Sequence, residues 1–138
     1  MKRYLIALVP GLIALLAAGS LFAHHSPSAI FDMKKPVAIQ GTLTKVDWVN
    51  PHIVILMESK AADGSAQSWK FESNPPSWFK HVDLSRADFI KYVGQPVTVG
   101  GVRAIDGTYY GYMTKFSAAD GTAIELDLSG AVGGGEKK

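Results

Sequence analysis

Cysteine is absent from this chain. With it go disulfides, thiol nucleophiles, thiolate metal sites and a lipid-modified amino-terminal cysteine, so stability rests on packing and any metal needs nitrogen or oxygen donors. A membrane-length apolar run is absent too. The longest stretch, Tyr4 to Ala18, is interrupted by Pro10-Gly11 and falls short of the roughly 20 residues a spanning helix needs. Preceded by Lys2 and Arg3 and followed by Gly19-Ser20-Leu21-Phe22-Ala23, it reads as a cleavable signal peptide over residues 1–23. Leu21 at the −3 position is an imperfect fit to the small-residue rule, so a cut after Gly19 stays open. Once the leader is removed, no stable membrane insertion is expected.

Nor does the exported part carry charge of one sign. Lys2 and Arg3 leave with the leader, and the remaining 12 basic residues face 12 acidic ones. A neutral domain has no electrostatic footprint for nucleic acid, whose binding depends on Lys and Arg neutralising phosphates. No nucleophile with a neighbouring base, no phosphate loop and no paired-carboxylate spacing stands out. The sequence therefore offers no catalytic residues and little reason to expect an enzyme.

What is present is a series of short β patterns. Val37, Ile39, Gly41 and Leu43 alternate with polar neighbours, and then the parity shifts to Val46 and Trp48. A shift of this kind predicts one long strand over 37–48 with a bulge. His52 to Ser59 is a β-branched run, and a turn at Ala62 to Ser65 leads to a strand at Gln67 to Ser73. Asn74 to Asp83, with Pro75-Pro76, reads as a loop. Ser85 with Asp88 resembles a capping box that opens a short helix ending at Gly94. Pro96 to Ile105 and Thr108 to Phe116 flank Asp106-Gly107, a strong hairpin signal, and a last strand is expected at Ala123 to Leu128.

Three strands, a helix and two strands is the order of the oligonucleotide/oligosaccharide-binding (OB) fold. The expected fold is thus mostly β, a small OB-like Greek-key barrel of five to six strands with one short helix between strands 3 and 4; an open sandwich is the competing architecture. The domain plan is a leader at 1–23, an amino-terminal segment at 24–36, the barrel at 37–128 and a Gly-rich, Lys-terminated disordered tail at 129–138.

Histidine placement is the main chemical signal. A cut after Ala23 frees the amine of His24, next to His25, and His52 follows in Asn50-Pro51-His52. An α-amine and imidazoles are borderline nitrogen donors that suit Cu(II), Zn(II) and Ni(II), with copper at the top of the divalent affinity order. His24, His25 and His52 are therefore the candidate metal ligands and copper the candidate cofactor, while Asp32 or Glu72 could orient a ring from behind. The plainer alternative is that the paired histidines only mark the processing site and that His52 caps a strand by hydrogen bonding. Trp48, Trp69, Tyr110 and Tyr112 could form an aromatic face for a glycan, a small ligand or a periplasmic protein partner, although strand aromatics more commonly pack cores. Glu72 alternates with Trp69 and Phe71, so it is expected on the opposite face from them.

The combination of His24-His25-Ser26, Phe31-Asp32, Lys35-Pro36-Val37, Gly41-Thr42-Leu43, Lys45-Val46 and Trp48 with Asn50-Pro51-His52 resembles the bacterial domain of unknown function 6152 family. The similarity continues through Trp69, Glu72, Gly94, Val97 to Val99, Ala104 and Asp106-Gly107. It implies an exported, periplasmic protein and no established activity. Pro76 to Arg86, including Trp78-Phe79-Lys80-His81, and the last strand depart from the family's usual pattern.

Overall fold

The structure is a computed structural model and describes residues 27–126. A 3₁₀ turn at Pro27–Ala29 leads into β1 (Phe31–Asp47), followed by β2 (Val54–Lys60), β3 (Ala66–Glu72), α1 (Pro76–His81), α2 (Arg86–Ile90), β4 (Pro96–Ala104), β5 (Tyr110–Ala118) and β6 (Ala123–Glu125). The strands form one sheet in the order β3-β2-β1-β4-β5-β6. It curls into a barrel-like ring because β3 also pairs with β5, in parallel, from Lys70↔Tyr110 to Glu72↔Tyr112. Every other pairing is antiparallel. The ring order β1-β2-β3-β5-β4 with helices between β3 and β4 is the OB-like arrangement expected from the element order. An open sandwich would need two sheets. β6 takes the part of the β5 edge that β3 leaves free, pairing at Lys115 to Ser117.

The length of β1 is what allows closure, since its carboxyl-terminal half pairs with β2 and its amino-terminal half with β4. The parity change seen in the sequence is a bulge between Leu43 and Lys45. At Gly41 the strand passes so close to β2 that a Cβ would lie 2.2 Å from the Glu58 carbonyl oxygen, and only glycine fits there. Gly101 does the same on β4, where a Cβ would lie 2.0 Å from the Tyr112 carbonyl oxygen, beside a second bulge at Gly100/Gly101.

Two departures from the sequence reading exceed a shift of a few residues at an element's end. β1 begins at Phe31 and not at Val37, because Phe31 pairs with Ala104 ahead of an irregular stretch that ends where the ladder resumes at Pro36↔Val102. Residues 76–81, expected as loop, form α1. Pro76 occupies the first turn of that helix, where a missing N–H has no helical partner to lose, and the reward is burial of Phe79. Trp48 packs on Phe79 with ring centroids 5.1 Å apart and on Phe89 of α2 at 5.7 Å. Ser85 precedes α2 as expected, its amide and hydroxyl both donating to Asp88 Oδ2 at 2.8 Å. These bonds hold the Asp88 carboxyl below its usual range. The chain leaves the helical region at Gly94, whose φ is +84°.

Apolar side chains sort into two clusters. The larger fills the ring and includes Leu43, Ile53, Ile55, Met57, Phe71, Phe79, Phe89, Val99, Met113 and Phe116. A smaller one, Phe31, Val102, Ala104 and Tyr112 with Tyr110 against it, lies on the outer face. Pleating turns Tyr112 away from the side that Met113 faces.

Candidate functional site

His52 stands at the mouth of the ring, just ahead of β2. The β2–β3 ladder continues past the ends of its strands, with the Ser73 amide donating to the Ile53 carbonyl (3.1 Å) and the Ile53 amide to the Asn74 carbonyl (3.3 Å). Ile53 is thereby pinned in the core. Next to this pin, His52 Nδ1 lies 2.9 Å from the Ser73 carbonyl oxygen. A carbonyl only accepts, so Nδ1 carries the proton and donates it. In the neutral ring Nε2 is then left with a free lone pair, the usual orientation of a metal-binding histidine whose other nitrogen is tied to a carbonyl. The imidazole is half-buried.

A row of residues crosses the outer face of the sheet beside His52. The pairings align Asp47, Val54, Glu72, Tyr112 and Val102 in succession. Glu72 sits opposite Trp69 and Phe71, as alternation requires, and its carboxylate lies 3.3 Å from Lys70 Nζ. That ammonium also stands 4.7 Å from the centre of the Tyr110 ring. Burial pushes the Tyr110 phenol well above its ordinary range, and a hydrogen bond to Glu72 and that residue's charge add to the effect. The Tyr112 phenol is raised in the same direction, first by burial and then by the Glu72 charge. Both phenols are therefore neutral donors at physiological pH. Tyr112 donates to Asn74 Oδ1 at 2.6 Å, and Ser73 Oγ donates to the Met113 carbonyl at 3.4 Å.

The remaining site candidates are spread more widely. Asp32 is held by its own strand, with its carboxylate accepting from the Lys34 amide (3.0 Å) and lying 3.5 Å from Lys35 Nζ. Trp48 packs against the helices, at α1 and α2. Trp69 is buried, stacked on Phe71 at 5.5 Å, with its indole N–H donating to Gln67 Oε1 and the Arg103 guanidinium 5.4 Å from its ring centre. Tyr112 is buried as well. Of the four aromatics considered as a stacking face, Tyr110 and Trp48 are partly open to solvent, and Trp48 is turned to the helices. His24 and His25 lie outside the described residues. Among the described residues, no group of three or more His, Asp or Glu side chains is placed to hold a metal ion, and no helix is long and apolar enough to cross a membrane.

Sequence reasoning passed over three residues that shape this region. Ser73 looked like the plain end of a strand and Asn74 like the start of a Pro-rich loop, yet both are buried and supply the carbonyl that orients His52 and the side-chain amide that holds Tyr112. Phe31 stood ahead of the first recognised strand, and its anchoring place is visible only once β4 and β5 are laid beside it. An aromatic followed by Asp32-Met33-Lys34-Lys35 is too short a pattern to read alone.

A family model described as a family of unknown function (DUF6152) matches residues 12–113. No curated protein and no solved structure matches the chain.

Proposed function

From the premise that the chain belongs to the DUF6152 family of unknown function, we propose that it is an exported protein that binds a transition metal ion, copper above others, through the amine and ring of His24 together with His25 and His52. Its role would be storage, delivery or sensing of the metal in the periplasm. The observation that supports this reading most is the Nδ1 to Ser73 carbonyl bond of 2.9 Å. It sets the His52 tautomer and leaves Nε2 as a ligand whose orientation is already fixed.

Placement supports it as well. Five residues, Ser26 to Ile30, separate His25 from Phe31, three of them in the 3₁₀ turn at Pro27–Ala29. Phe31 packs on Tyr112 with ring centroids 5.6 Å apart, Tyr112 bonds to Asn74, and Asn74 adjoins the Ser73 that holds His52. The first described residues thus share the outer face of the sheet with the row that borders His52. Because the α-amine titrates near pH ~8 and must lose its proton to coordinate, metal uptake releases protons and weakens on acidification.

A Cu(II) competition titration on protein secreted with its native leader, its start confirmed by intact mass, tests the reading. One-to-one binding by a chain beginning at His24 is expected. His52→Ala should lower affinity at least as much as the roughly 10- to 100-fold that loss of a hydrogen-bond partner behind a ligand typically costs, with the folded ring intact by circular dichroism. Weak or absent binding by the chain that begins at His24 overturns the proposal.

A further inference from the structure

We propose that the open edge of β1 is a pairing surface for a second copy of this chain, the two strands meeting antiparallel about a two-fold axis at Ala38. The inference needs no metal and stands apart from the reading above. The Leu43 amide donates to the Gln95 carbonyl (3.1 Å) and the Leu43 carbonyl accepts from the Gly94 amide (2.7 Å), so the backbone groups of Leu43 point toward β4. In an antiparallel ladder both groups of one residue face one neighbouring strand and those of the next residue face the other. The β1–β4 register is unbroken from Pro36↔Val102 to Thr42↔Pro96. Gly41, Ile39 and Val37 therefore turn to β4, and Thr42, Gln40, Ala38 and Pro36 turn the opposite way. Thr42 meets Glu58 there, but the β1–β2 pairing stops at that residue. The N–H and C=O groups of Gln40 and Ala38 thus face outward with no strand beside them among the described residues. Pro36, the next residue on that side, has no N–H to leave unpaired, as suits a proline on an open edge.

Open strand edges are ordinarily blunted by shortness, charge, proline or a bulge. β6, for instance, has three residues and ends in Glu125. On β1 the register break at Asp32 to Lys35, the two lysines there and Pro36 guard the amino end, yet Val37 to Gly41 carries neither charge nor proline. That leaves one short tract, and it is complementary to itself. With Ala38 opposite Ala38, each Ala38 amide reaches the Ala38 carbonyl of the other copy and each Gln40 amide reaches the Pro36 carbonyl, so every outward N–H of the tract is satisfied. The same alignment sets Lys34 of one copy at the level of Thr42 of the other, whose β2 neighbour is Glu58. Neither Lys34 nor Glu58 is in an ion pair among the described residues. A parallel arrangement would set the lysines of the two copies beside one another. Where β1 and β2 part, a hollow of about 490 Å³ lined by Gln40, Gly41, Thr42, Glu58, Lys60 and Pro96 gives the incoming Lys34 and Lys35 room. The product is a continuous sheet, β5-β4-β1 of one copy joined to β1-β4-β5 of the other, with the closed two-fold symmetry usual for homodimers.

Sedimentation equilibrium of the metal-free protein secreted with its native leader should show a monomer–dimer equilibrium, a weak one because a single strand pair buries little surface. The Ala38 and Gln40 amides should become protected from exchange as concentration rises, whereas those of Ile39 and Gly41, which face β4, are protected throughout. Ala38→Pro removes an outward N–H that the monomer leaves unpaired, so the chain should keep its circular dichroism and lose the dimer. Lys34→Glu turns two attractive contacts per dimer repulsive and should weaken association about tenfold, and adding Glu58→Lys should restore it. This charge swap leaves the backbone untouched and decides the matter even if the proline variant does not fold. A chain that stays monomeric at millimolar concentration, a dimer that survives Ala38→Pro, or a swap that fails to restore association overturns the proposal.

Discussion

The interior of the ring and the cluster on its outer face are built from similar side chains yet held in different ways. The interior is closed on every side by five strands, two helices and their rings, with Phe89 packed edge-on against both Phe79 (5.7 Å) and Phe116 (5.3 Å). The outer cluster has one layer of sheet beneath it and a single residue, Phe31, as its lid. Its polar groups are correspondingly specific: Tyr112 to Asn74 inside the cluster, Glu72 with Lys70 and Tyr110 at its border. The interior defines the ring, and the outer cluster holds the first residue of β1 against β4 and β5.

Removing a large interior ring should separate the two most strongly. Phe89→Ala is expected to lower unfolding free energy by about 3–5 kcal/mol, the range for a fully buried Phe whose cavity cannot collapse, measured by urea denaturation. A loss under 1 kcal/mol would mean the interior is not the main source of stability. On the outer face, Tyr112→Phe keeps the ring packing and deletes the hydrogen bond to Asn74, so about 1 kcal/mol is expected. A loss as large as that of Phe89→Ala would erase the distinction drawn here. The smallest effect should come at the rim, where Tyr92 of the interior cluster donates to Asp120 Oδ2 at 2.7 Å and shares a 2.6 Å hydrogen bond with Thr122 Oγ1. The Thr122 amide, then Tyr92, then the Thr122 hydroxyl bring the Asp120 carboxyl down to about 2. A folded value depressed below the unfolded ~3.9 contributes stability that is complete above the unfolded value and vanishes as pH falls through the folded one. Protection of the Thr122 amide should therefore decline between about pH 4 and pH 2, and Asp120→Asn should flatten that profile; an unchanged profile would show that the carboxylate does not hold the turn.

Much of the ring was legible because its signals are local. The Leu43-to-Val46 parity shift marks the β1 bulge, Ser85 and Asp88 mark the start of α2, and Asp106-Gly107 marks the β4–β5 turn, each through a few neighbouring residues. The misread segments are those whose structure depends on distant partners. α1 forms where the sequence shows Pro75-Pro76, since burying Phe79 against Trp48 and Phe89 outweighs poor intrinsic helix propensity. For Trp69 and Tyr112 the sequence favours core packing over a stacking face, and both are buried once β5 and Arg103 are in place. Of the candidate site, His52 was identifiable from its setting and Glu72 from alternation. The Ser73 carbonyl that sets the imidazole tautomer carries no side-chain signature at all.

The sequence by itself determined the order of the strands along the chain, the β class, the absence of thiol chemistry and the placement of histidines at 24, 25 and 52, because composition and short-range periodicity act over a few residues. Tertiary structure alone decided that β3 meets β5 to close the ring, that Phe31 packs on Tyr112 ahead of a break in the β1 register, and that His52 is tied through Nδ1 to the Ser73 carbonyl. Each of these depends on backbone groups or side chains 20 or more residues apart being brought within a few ångströms, and burial and hydrogen-bond satisfaction act on that neighbourhood whatever the sequence separation.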